Sequence, residues 1–123
     1  MEKIFYNKLC RDKIPQIIRD KGFDCDVHVA EEAEYKKEII RKVFEEAIGV
    51  TNASGKEGLL AELADLVITI NAVQKEFGIT DDELHDAVHA SLDEKGAYDE
   101  RYYLSWSSDT DYVSNERGHG IDD

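Results

Sequence analysis

A chain of 123 residues, 41% apolar and 35% charged, has material for one folded domain with a heavily solvated surface. Its formal charge of −13 argues against binding a nucleic-acid backbone or an anionic membrane. A nucleotide is not excluded, because a bound metal and a few local cations can reverse the field within one pocket. The same acidity fits an interaction protein whose partner is basic.

The lead-in to Pro15 carries the apolar anchors Phe5, Leu9 and Ile14 and the cations Lys8, Arg11 and Lys13. Pro15 suits the first turn of a helix with Asp12 as its cap, Ile14, Ile17 and Ile18 forming one face and Gly22 ending it. Cys25, Val27 and Val29 alternate with polar residues, as in a brief extended segment. From about Ala30 a helical pattern resumes, with Ile39/Ile40, Val43/Phe44 and Ala47/Ile48 recurring every four residues before Gly49. A polar break, Thr51 to Lys56, precedes a second run of Leu59, Leu63, Leu66, Ile70, Val73 and Phe77, the spacing of a packed helix stopped by Gly78. Thr80 and Glu83 spell a capping box for a further helix with Leu84, Ala87/Val88 and Leu92 inside, ending near Gly96. The aromatic stretch Tyr98 to Trp106 reads as a strand or arm lying on the body or on a partner subunit, and the Ser/Asp/Gly-rich segment 107–123 as a flexible tail. The expected architecture is all-α: a four-helix bundle over residues 1–106 with an extended aromatic tail.

Two acidic clusters flank the polar break, Glu45-Glu46 before it and Glu62-Leu63-Ala64-Asp65 after it. Glu62 and Asp65 are three residues apart and project from one side of their helix. A helix–loop–helix hairpin turns them toward Glu46, and carboxylates gathered beside an apolar seam are costly unless neutralised. Hard oxygen donors from two facing helices suit Mg²⁺ or Mn²⁺. By spacing alone, the same acids also fit an ordinary solvated helix surface.

The opening Asn7-Lys8-Leu9-Cys10-Arg11-Asp12-Lys13-Ile14-Pro15 resembles the Lys-Leu-Val-Arg-Asp-Lys-Ile-Pro start of small bacterial and phage proteins. These are phosphoribosyl-ATP pyrophosphohydrolase-like members of the all-α, MazG-type nucleoside triphosphate pyrophosphohydrolases. Their Glu-Glu-x-x-Glu and Glu-Leu-Ala-Asp helices are similar to Glu45-Glu46-Ala47-Ile48-Gly49 and Glu62-Leu63-Ala64-Asp65 here. Their Glu-Arg-Gly-Gly-Phe segment with a trailing Arg is similar to Glu94-Lys95-Gly96-Ala97-Tyr98 and Arg101. The resemblance spans roughly residues 5 to 105. It implies metal ligands Glu46, Glu62 and Asp65, and Glu45 beside them as general base or orienter of the site. Lys8, Arg11, Lys13, Lys95 and Arg101 would then grip phosphates. It further implies cleavage between the α and β phosphates of a nucleotide, giving a monophosphate and pyrophosphate. Gly49 stands where the family has its third Glu, so four carboxylates become three. The alternative is therefore a degenerate relative that binds a nucleotide, to sequester or sense it, without hydrolysing it.

His85 and His89 have the i, i+4 spacing of zinc pairs but no persuasive third ligand. Cys10 and Cys25 form no Cys-x-x-Cys unit, and no apolar leader or span is visible, so a soluble cytoplasmic protein is expected. Apolar faces left over from the bundle call for a homodimer or homotetramer.

Overall fold

Two long helices joined by two residues carry the organisation of the chain. In the computed structural model, which describes residues 2–111 and 115, the elements are α1 (Ile14–Asp20), α2 (Glu32–Asn52), α3 (Gly55–Phe77) and α4 (Asp81–Lys95). Among the described residues there is no strand, so the expected all-α class is what is found. No helix of the described residues is long and apolar enough to cross a membrane. The chain divides into two units, Met1–His85 and Asp86–Asp123.

In the first unit, the lead-in through Lys13 has no regular structure. Pro15 opens α1, as its fixed φ and missing N–H favour. Asp12 does not cap it: Lys13 occupies the cap position without a side-chain hydrogen bond, and the Ile14 N–H donates to the Arg11 carbonyl at 3.0 Å. The helix closes with the Gly22 N–H on Arg19 and the Phe23 N–H on Ile18. Cys25 to Val29 is irregular rather than an extended strand.

The start of α2 places Glu32 and Glu34 in its first turn, where carboxylates complement the helix dipole. It runs on through Gly49 to Asn52, four residues beyond the apolar repeat that closes at Ile48. A helical glycine costs only about 1 kcal/mol, which the continuing contacts of a 21-residue helix absorb. Only Ala53 and Ser54 then separate α2 from α3, so the helices return antiparallel. The pairing shows the register: Lys36 meets Glu76, Glu46 meets Asp65, and Gly49 meets Glu62.

The faces in contact are offset from the apolar stripes. On α3, Thr69 is buried while Leu63, Val67 and Ile70 are exposed. On α2, Ile39 is buried at 6% exposure, while its neighbour Ile40 is exposed and Phe44 is 69% exposed. Ile39 is the one buried apolar side chain among the described residues. Gly78 ends α3 in the left-handed region (φ 67°), its N–H and that of Ile79 both donating to the Gln74 carbonyl. The predicted capping box then starts α4: the Glu83 N–H donates to Thr80 Oγ1 at 3.1 Å and the Thr80 N–H to Glu83 Oε1 at 3.0 Å.

In the second unit the remainder of α4 ends with the Gly96 N–H on the Leu92 carbonyl. Tyr98, Tyr102, Tyr103 and Trp106 follow without helix or strand, all strongly exposed. The tail expected to be flexible lies mostly outside the described residues.

Because an L side chain at φ 67° meets its own backbone, Gly78→Ala should destabilise the protein by about 1 kcal/mol or more. Urea denaturation of the two proteins measures the difference.

Candidate metal centre

The α2–α3 hairpin sets four positions face to face. Glu46 and Gly49 are three apart on α2, Glu62 and Asp65 three apart on α3, and each pair lies on one side of its helix. One carboxylate oxygen from each of Glu46, Glu62 and Asp65 lies within 4.8 Å of the other two, and all three residues are half-buried. Among the described residues this is the one grouping of three or more potential ligands. At that separation each pair of charges repels by on the order of 1–3 kcal/mol, depending on solvent screening. The predicted trio is therefore brought together, where its charges repel unless something offsets them.

The chain supplies some of them from its lead-in. Arg11 Nη1 lies 3.6 Å from Asp65 Oδ1. Lys8 pairs with Glu45, and Lys42 Nζ reaches Glu45 Oε2 at 2.8 Å, Glu46 Oε1 at 3.8 Å and the Leu9 carbonyl at 3.0 Å. Lys42 thus ties the basic lead-in to the acidic face of α2. It was not singled out from sequence, although its position three and four residues before Glu45 and Glu46 is the spacing of helical ion pairs. Four carboxylates meet three cations here, which leaves the centre short of positive charge.

Glu45 stands apart from the trio, held between Lys8 and Lys42. Burial pushes its carboxyl pKa up, but the hydrogen bonds from Lys42 and Lys8, with their charge, outweigh this and hold it below the usual carboxylate value. Beside it, a groove of about 310 Å³ is lined by Tyr6, Lys8, Arg41, Lys42, Phe44 and Ile48, among others. Tyr6, Arg41 and Phe44 were likewise not anticipated. Lys13 is exposed at the start of α1. Lys95, in the last turn of α4, lines a separate groove with Tyr98 in the second unit. Arg101 has φ 58°, with its N–H on the Tyr98 carbonyl.

The donor set fits a hard divalent ion. Three carboxylates leave about half of an octahedral shell for water or phosphate oxygens, the habit of Mg²⁺ and Mn²⁺. The space above Gly49, which a Cβ would fill, holds the Glu62 carboxylate on the cluster. Compared with family models, curated proteins and solved structures, the chain finds no match.

Glu45 yields a pH prediction. Its pKa is depressed on folding, so its contribution is present above the unfolded value near 4.5 and is lost as pH falls through the folded value. Lys42→Met should therefore reduce stability at neutral pH and flatten the acid limb of the stability curve below about pH 5. Urea midpoints of both proteins across that range provide the check.

Proposed function

We propose that this protein is a divalent-metal-dependent nucleotide pyrophosphohydrolase, splitting a nucleoside triphosphate or related nucleotide into a monophosphate and pyrophosphate. The observation that carries this is the convergence of Glu46, Glu62 and Asp65 from two antiparallel helices, edged by cations from the lead-in. The opening motif and the paired acidic motifs support it by resemblance.

Glu46, Glu62 and Asp65 would hold Mg²⁺ or Mn²⁺. The ion, when bound, offsets the charge of the phosphate chain and lowers the pKa of water. Arg11 and Lys8 lie at the rim and supply donors to the phosphates, Arg11 exchanging its exposed contact with Asp65 for a phosphate oxygen. By resemblance, Lys13 of the same unit adds a further phosphate contact. Glu45, held between Lys8 and Lys42, stands beside the ligands as general base or orienter of the site. In the reaction the oxygen of water would join the α-phosphorus as its proton passes to solvent, the bridging bond to the β-phosphate would break, and pyrophosphate would leave with that bridging oxygen.

Homo-oligomerisation belongs to the same proposal. Phe44, Leu60 and Val67 are 69%, 65% and 54% exposed, and one buried apolar side chain is a thin core for helices of this length. A second copy covering these faces gives a homodimer or homotetramer. The two free thiols accord with a reducing cytoplasm. A second reading, nucleotide binding without turnover, is favoured by Gly49, which contributes no carboxylate.

Pyrophosphate release should be detectable from at least one nucleoside triphosphate with Mg²⁺ or Mn²⁺, and Glu62→Gln should lower it about a hundredfold or more. No release above the Glu62→Gln background, with nucleotide still bound, would shift the assignment to the binding reading. Light scattering on a sizing column at micromolar concentration should return two or four times 14.0 kDa, and a monomer would refute the oligomer.

A further inference from the structure

The side of α2 that faces α3 contains a gap with a specific occupant. A Cβ built on Gly49 would lie 2.5 Å from Glu62 Oε2, closer than non-bonded atoms approach, and a tight 3.1 Å from its carboxyl carbon. The Glu62 carboxylate therefore occupies the volume that any other residue at position 49 would fill. Glu46 is one turn earlier on the same face, so the carboxylate leaning into this gap is carried toward Glu46 and Asp65. Glycine at this point is not required by the backbone, since no left-handed φ is found there and α2 continues past it.

We propose that Gly49 is a positioning residue of the metal centre, its missing side chain letting the Glu62 carboxylate close the three-ligand set for a divalent ion; this rests on the metal-site reading above. A methyl group at position 49 collides only with the far end of a flexible side chain. The fold accommodates it by turning Glu62 aside, and the loss falls on the ligand geometry. Position 49 supplies no donor itself; what it leaves is room for the donor at position 62.

Gly58 provides the matched control. It lies within α3 without a left-handed φ, and a Cβ there meets nothing within 4 Å. Both Gly49→Ala and Gly58→Ala should raise the metal-free melting temperature by about 2–6 °C, because alanine is the better helix former. They should part in Mn²⁺ binding, measured by calorimetric titration of the full chain with MnCl₂ alone. Gly49→Ala should weaken binding about tenfold or more, while Gly58→Ala stays within about twofold of wild type. Equal Mn²⁺ affinity in Gly49→Ala and wild type would overturn the role of Gly49 and leave the metal site standing. Equal weakening by both variants, or loss of helix in Gly49→Ala, would also overturn it. Absence of Mn²⁺ binding by the wild type would instead remove the metal-site reading on which the role of Gly49 rests.

Discussion

Everything at the candidate site follows from the register between α2 and α3. A two-residue connection forces the helices to return antiparallel, and the pairing of 36 with 76, 46 with 65 and 49 with 62 places acids from both helices opposite one another. Moving α3 by one residue would rotate its side chains about 100° and separate Glu62 from Glu46. The hairpin therefore spends part of its contact face on carboxylates rather than on leucines. Stability is given up at the place where a cation can return it.

The basic lead-in makes sense in that setting. Lys8 and Arg11 approach from a segment without regular structure, and Lys42 holds that segment through the Leu9 carbonyl. Exposed ion pairs of this kind are individually worth little, so their value lies in keeping cations at the rim of an acidic centre. There they offset part of its charge without filling the space between the three carboxylates. In a chain of net charge −13 these cations lessen the local negative charge without reversing it, and a bound divalent ion would have to supply the rest.

Much of this was legible in the sequence because local rules were followed. Four helices, the stop at Gly78 and the reciprocal bonds of Thr80 and Glu83 match the expected pattern. The i, i+3 spacing put Glu62 and Asp65 on one side of their helix and the short break let them face Glu46, although spacing alone equally fitted a solvated helix surface. What escaped depends on longer-range geometry. The apolar repeat stops before Gly49, but the modest helical cost of glycine is overridden in a long packed helix, and only coordinates reveal the carboxylate resting on it. Asp12 fits the composition of a cap, yet the turn begins from Arg11 and leaves Lys13 at the cap position. The apolar stripe of α3 has helical spacing whether its residues enter a core or a subunit contact, and Leu63 and Ile70 are exposed. Lys42 was passed over because its ties to Leu9 and to the acids span distant parts of the chain.

Growing crystals in MnCl₂ and locating the metal by its anomalous scattering tests the central claim most directly. The expected result is a peak bonded to one carboxylate oxygen from each of Glu46, Glu62 and Asp65, with water on the remaining positions. Well-ordered acids turned apart toward solvent, with no peak between α2 and α3, would contradict it.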